Sequence, residues 1–272
     1  MTDPSYDVHG SGPVLLVLPG GAGHPMGLEP LTRRLAARFT VVVLDPLGLA
    51  HGRLGQPVAG QRVEDWSEAA RRVLDAVLPA GESARVLGTS SGAIAALDLL
   101  ARHPRRLRHV VAHEPPCVAA LPDGEARHEG FRAVYDTYRR AGLAAAGARL
   151  AAELEGRPAP DLPPGRPPSA QEEQGTPMGI FLSRVLVPFS GYVPPASLPS
   201  GRLTIAAGTA SRGQVPYRTA AVLAERHGCR FTELPGGHLG AVEYPEAFAD
   251  AVTEALGVAP GAGPAPAGSA TP

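Results

Sequence analysis

Two short runs of consecutive apolar residues, "PVLLVLPGG" and "TVVVLDP", open a series of strand-like stretches that continues with "ARVLG", "LRHVVAHEPP", "RLTIAAG" and "CRFTELPG". An apolar run without alternation, closed by glycine or proline, marks a strand buried on both faces. Between these stretches lie segments of helical periodicity, over about 28–38, 63–78, 92–102, 215–227 and 244–256, the second of them ended by Pro79. Strands alternating with helices predict an α/β protein, a mostly parallel sheet flanked by helices on both sides.

The alternation breaks after Pro116 and resumes near Ser200. In between, Phe131, Val134, Tyr135 and Tyr138 share one helix face at i, i+3, i+4, i+7. A long Ala-rich helix, the Pro-rich stretch "GRPAPDLPPGRPPS" and a second apolar segment, "MGIFLSRVLVPFSGY", follow. Phe181, Leu182, Val185 and Leu186 repeat the helical spacing there. This region reads as a helical cap at 117–199, inserted into a core made of 1–116 and 200–257. The tail 258–272, "VAPGAGPAPAGSATP", is too poor in large apolar residues to bury surface and is expected to be disordered. Most residues on the two apolar faces are expected to pack the cap onto the core. Tyr135, Tyr138, Met178 and Phe181 are candidates to roof a pocket, where paired tyrosines would suit an oxygenated ring.

Composition narrows the function classes. The 272 residues are 44% hydrophobic and 19% charged, with a net charge of −1, so no global field attracts nucleic acid or an acidic membrane. The apolar runs are far shorter than the ~20 residues that cross a bilayer. The opening "MTDPSYDVHG" lacks the basic and apolar regions of a secretory signal, and Cys117 and Cys229 are the only cysteines. A cytoplasmic protein with reduced thiols is expected. There is no lysine and no asparagine; all 25 basic side chains beyond histidine are arginine, which removes lysine Schiff-base and Walker-type chemistry. No H-E-x-x-H spacing occurs among the nine histidines, so no metal and no cofactor are expected. The expected partner is a small-molecule substrate; a homodimer stays open.

The stretch that carries chemistry is "VLGTSSGAIAAL". Gly88-Thr89-Ser90-Ser91-Gly92 fits G-x-S-x-G centred on Ser90, between a predicted strand and a predicted helix. That motif sets a nucleophile on a sharp strand-to-helix turn, where residues two before and two after it crowd together. Ser90 has glycine at both places; Ser91 has Thr89 and Ala93 beside it at that spacing. Ser90 is therefore the candidate nucleophile. Ser91 is the candidate to offer its backbone N–H at the start of the helix. A glycine-rich turn with an N-capping serine is the plainer alternative.

On "GTSSGAIAALDLLARHP", "VVAHEPP", "SRGQVPYRTAAVLAERHG" and "LPGGHLGAVEYPEAFA", the chain resembles α/β-hydrolase-fold proteins, in particular actinobacterial-type serine hydrolases. The resemblance covers about 13–256 and is weakest in the cap. It implies an α/β-hydrolase fold, and the short span before Pro13 implies a shortened sheet of about six strands. It puts an oxyanion donor on Gly21 in "PGGAG", with Ser91 as the second, and the base on His238 in "PGGHLG". Members of the fold commonly carry an Asp after the strand that here reads "RLTIAAG". This chain has no Asp or Glu between Gln174 and Ala224. Glu114, closing the strand after the elbow, is the candidate acid, in the expected order Ser90, Glu114, His238. Asp45, at the end of "VVVLDP", is a weaker candidate. His24, His51 and His113 lie on loops or strand ends near the expected site and are candidate substrate contacts. The loop "DPLGLAHGR" replaces the Arg-rich sequence usual in relatives, compatible with a specialised biosynthetic role.

The leading expectation is a serine hydrolase acting on an ester, lactone or thioester through an acyl-enzyme. Two alternatives remain at this stage: a lyase or cyclase using Ser and His as acid and base, and a catalytically silent small-molecule receptor.

Overall fold

A computed structural model describes residues 4–24, 27–161 and 163–258. Seven strands form one sheet: β1 (Ser5–His9), β2 (Val14–Leu18), β3 (Thr40–Asp45), β4 (Ala84–Thr89), β5 (Leu107–His113), β6 (Leu203–Gly208) and β7 (Arg230–Leu234). Their order is β1-β3-β2-β4-β5-β6-β7, parallel throughout except that β1 pairs antiparallel with β3. The sheet is thus one strand larger than the expected six. The extra strand, "SYDVH", fits into the short span before Pro13. It is a polar, partly exposed edge without the continuous apolar run that marks the interior strands, as an edge strand facing water permits.

The helices divide between the two faces because alternate residues of each strand point oppositely. Leu15, Val17, Val41, Val43, Leu87 and Val111 pack against α1 (Glu29–Ala36) and, further along the chain, the C-terminal helix Pro245–Ala255. Leu16, Leu18, Val42, Leu44, Val86 and Val110 pack on the other face, where α2 (Val63–Val77), α3 (Ser91–Arg102) and the helix Val215–His227 lie. The chain leaves β2 towards β3 on one side and returns to β4 on the other. Such a reversal opens a crevice at the carboxyl ends of the strands, where open α/β sheets bind ligands.

Between β5 and β6 come α4 (Gly124–Glu155), α5 (Ala170–Gln174), α6 (Pro177–Ile180), a π-helical turn Phe181–Val185 and α7 (Leu186–Ser190). The expected amphipathic and Ala-rich helices are the two halves of α4, broken at Gly142, whose φ of 79° and ψ of −168° leave the helical region. The buried Glu173 carboxylate accepts from Arg139 and from Arg184 (2.6 Å), tying α5 to α4 and to the π-helical turn. Phe189 meets Trp66 edge-to-face at 4.8 Å, so this segment shares its apolar core with α2. After β6 follow α8 (Val215–His227), α9 (Gly240–Glu243) and α10 (Pro245–Ala255). Of the expected tail, only Val258 is described; it packs on the α10 side and donates to the Thr253 carbonyl. The remainder, 259–272, lies outside the described residues. Among the described residues no helix is long and apolar enough to cross a membrane.

Candidate active site

β4 delivers Ser90 to the turn that starts α3. The residue has φ 51° and ψ −121°, an unfavourable conformation for any side chain larger than hydrogen. Sterics make the flanking glycines obligatory. A Cβ on Gly88 would stand 2.6 Å from Ala93 Cα, and one on Gly92 only 2.0 Å from the Leu18 carbonyl oxygen. The start of α3 is therefore pressed against the end of β2, and Ser90 stands at the apex while Ser91 becomes the first helical residue. Gly20, in the loop after β2, is held equally close: its Cβ would lie 2.9 Å from Ser90 Cβ.

β5 ends at His113, and Glu114 follows with φ 46°. Ser90 and Glu114 are the only non-glycine residues with positive φ among those described. Backbone hydrogen bonds hold the Glu114 turn: its N–H donates to the Ala206 carbonyl at 2.9 Å, and the Ser90 N–H donates to the His113 carbonyl at 3.0 Å. The fully buried Glu114 carboxylate accepts from the Gly208 N–H at 2.8 Å through Oε1 and from His238 Nδ1–H at 2.8 Å through Oε2. An ionised carboxylate can only accept, so the proton sits on His238 Nδ1 and Nε2 is left to accept from Ser90 Oγ–H at 3.0 Å. Burial pushes the Glu114 carboxyl up. The His238 hydrogen bond and charge, with His113 and the Gly208 N–H, outweigh that and hold it below the usual carboxylate value.

Gly208 occupies the strand end where an acid was expected from the wider fold. It contributes an N–H and a close approach: a Cβ there would meet the Gly236 carbonyl oxygen at 2.5 Å. The loop carrying His238 can then lie against β6, within reach of a carboxylate that comes from β5. This supporting role was not foreseen from the sequence. The available signal was the pair of glycine positions, Gly208 and Gly236-Gly237, at two neighbouring strand ends.

The Ser90–His238 pair opens into a cavity of about 490 Å³. Gly21 and Ser91 line it, and among the described residues neither backbone N–H has a protein acceptor. Phe181 and Met178 line it as expected. So does a stripe along the second half of α4, Leu143, Gly147, Leu150, Ala151 and Leu154, in the stretch expected only to be an Ala-rich helix. Its i, i+4, i+7, i+8, i+11 spacing was the available signal; the small residues in the stripe leave the open space.

Four expected contacts fall elsewhere, and two further candidates prove structural. Tyr135 borders a separate surface groove with Glu129, Arg132 and Leu182, because the face of α4 is turned so that Phe131 alone of its aromatics reaches the Ser90 cavity. Tyr138 is buried beside Gly179, inside the helical segment. His24 turns away to donate to Asp7 at 3.1 Å. His51 donates from both ring nitrogens, to Asp45 (2.7 Å) and Asp7 (3.2 Å); the Asp45 hydrogen bond, aided by Asp7 against partial desolvation, raises its pKa. Asp45 is not near His238: it accepts from the Leu49 and Ala50 N–H groups and braces the loop after β3. His113 is wholly buried, its ring edge-to-face with Phe248 at 5.0 Å. No group of three or more His, Cys, Asp and Glu side chains among the described residues could hold a metal ion.

The model of the alpha/beta hydrolase family matches residues 14–251. The chain belongs to that family. It is similar to the uncharacterized hydrolase YraK of Bacillus subtilis, with 30% identity over 92% of this chain and 91% of that one. Among solved structures it is similar to an enol-lactonase from Burkholderia xenovorans (17% identity, 93% of this chain and 96% of that chain, TM-score 0.58). It is also similar to a thermophilic esterase from Thermogutta terrifontis (17% identity, 93% and 92% covered, TM-score 0.64). At those identities the two structures speak to the fold.

Proposed function

We propose that the protein is a serine hydrolase that cleaves an ester, lactone or thioester through an acyl-enzyme, with Ser90 as nucleophile, His238 as base and Glu114 as its orienting acid. The observation that carries this reading is the unbroken relay Glu114 Oε2–His238–Ser90 Oγ, at 2.8 and 3.0 Å, open to a cavity at the sheet's switch point. The esterase and enol-lactonase among its structural neighbours agree with it. The segment 117–199 is then a cap over a core of 1–116 and 200–257.

Ser90 Oγ attacks the substrate carbonyl carbon while its proton passes to His238 Nε2. The negative charge that develops on the carbonyl oxygen is met by the Gly21 and Ser91 N–H groups, the latter at the N-terminus of α3. Glu114 fixes the histidine tautomer and stabilises the imidazolium, which then protonates the departing alcohol or thiol. Water follows the same route: His238 takes its proton, the hydroxyl adds to the acyl carbon, and Ser90 leaves with the returned proton. A fluorophosphonate is expected to label Ser90 and to leave Ser90→Ala unlabelled, while Ser91→Ala retains labelling. An adduct mapped to Ser91 by peptide mass spectrometry overturns the assignment. Labelling without turnover of any ester, lactone or thioester removes hydrolysis from the reading.

A further inference from the structure

The chain carries 25 arginines, and not one of them lines the Ser90 cavity among the described residues. The only ionisable side chains lining it among the described residues are His238 and Glu155, and Glu155 already accepts from Arg157. The remaining polar lining is small: serine and threonine hydroxyls and Gln214. The walls are aliphatic and aromatic. From the helical segment they include Phe131, Leu150 and Phe189; from the core, Leu28 just before α1 and Ala241 on α9.

The mouth has the same character. Leu143, Met178, Leu239 and Val242 all line the cavity, yet each is at least 42% exposed. They make up half of the large apolar side chains that stand in solvent among the described residues. The other four, Val8, Leu54, Val193 and Tyr244, do not line the cavity; the concentration of four around one opening marks a surface shaped for contact. These four side chains give the cavity that holds Ser90 an apolar rim.

We infer that the cavity selects esters or lactones whose acyl part is uncharged and apolar, and that it rejects acyl groups bearing a carboxylate. This rests on the hydrolytic reading above. An acyl carboxylate would leave water for a space in which no arginine among the described residues is placed to pair with it, and an unpaired buried charge is strongly unfavourable. The Gly21 and Ser91 N–H groups cannot serve it, because they are engaged by the reacting carbonyl. Each added methylene, by contrast, moves apolar surface out of water, a gain that corresponds to about fourfold.

The test compares p-nitrophenyl esters. From acetate to hexanoate, kcat/KM is expected to climb, by up to about fourfold per methylene. The hemisuccinate and the levulinate have nearly the same shape and differ in charge; the levulinate is expected to be preferred on the order of 10²-fold. Ala151→Arg sets a cation on an exposed position of the lining and is expected to narrow that ratio at least tenfold. A flat or falling length series, equal turnover of the hemisuccinate, or a ratio unmoved by Ala151→Arg overturns the inference while hydrolysis stands. Binding to Ser90→Ala separates the two claims. By titration calorimetry it is expected to take methyl decanoate at least tenfold more tightly than monomethyl sebacate, which matches it in shape but carries a carboxylate at the far end of the acyl chain. If no ester is turned over but this preference holds, the hydrolytic reading falls and the character of the cavity remains.

Discussion

Acidification is expected to weaken the fold through His113. This residue ends β5, next to Glu114; its ring is fully buried, and neither nitrogen has a protein partner among the described residues. Burial, helped by the nearby His238, lowers its pKa from the usual 6.5 to about 4, with only the Glu114 charge acting in the opposite direction. The sign follows from which state binds the proton. Below pH 6.5 the unfolded chain takes it up, whereas the folded chain holds the ring neutral until about pH 4. The stabilisation is therefore complete above pH 6.5 and is lost as the pH falls towards 4. The drop in pKa corresponds to ~3 kcal/mol when fully developed, and to ~2 kcal/mol at pH 5. Urea unfolding at pH 7.5 and pH 5.0 measures it, with His113→Leu as the variant that cannot titrate. Whatever that substitution does to packing at pH 7.5, the parent is expected to lose about 2 kcal/mol more than the variant on going to pH 5.0. Equal losses in the two proteins would refute the argument, because the acid sensitivity would then belong to other groups.

Glu114→Gln keeps the size of the side chain but removes the charge and can hold the wrong histidine tautomer, so kcat is expected to fall on the order of 10⁴-fold. Glu114→Asp is expected to retain more activity than Gln, and near-parental turnover by Glu114→Gln would show that another group orients His238. Gly92→Ala would drive a Cβ to 2.0 Å from the Leu18 carbonyl; a loss of about 1–3 kcal/mol or more is expected, read as a drop of several degrees in Tm.

The sheet was legible because its interior strands, buried over most of their length, carry short apolar stretches such as Val14–Leu18 in β2 and 41–44 in β3. β1 was missed for the opposite reason: an edge strand needs no apolar run, and Tyr6 alone of its residues packs on the larger core. The elbow could be read because steric crowding acts over five consecutive residues, all visible as Gly88 to Gly92. The pairing of Glu114 with His238 could be suspected from the lack of any later carboxylate, although the supporting N–H of Gly208 depends on two strand ends that meet only in the sheet. The pocket wall was least legible. A helical stripe shows which residues share a face, but the rotation that sends Phe131 to the cavity and Tyr135 to a surface groove is set by how α4 docks, which local periodicity does not contain.

The positive φ values at Ser90 and Glu114 bear on how this sequence could change over time. A non-glycine residue in such a conformation costs on the order of 1–3 kcal/mol, and glycine would relieve it. Ser90→Gly offers that relief but removes the hydroxyl that the proposed reaction uses; Glu114→Gly does the same but opens a hole around His238. Mutation therefore has a persistent downhill path at position 90, towards a steadier and inert protein, held off only while the hydroxyl is needed. A descendant released from that need would be expected to drift to glycine at the elbow first, leaving the flanking glycines and the sheet intact, and so to become a binding protein with the same apolar cavity.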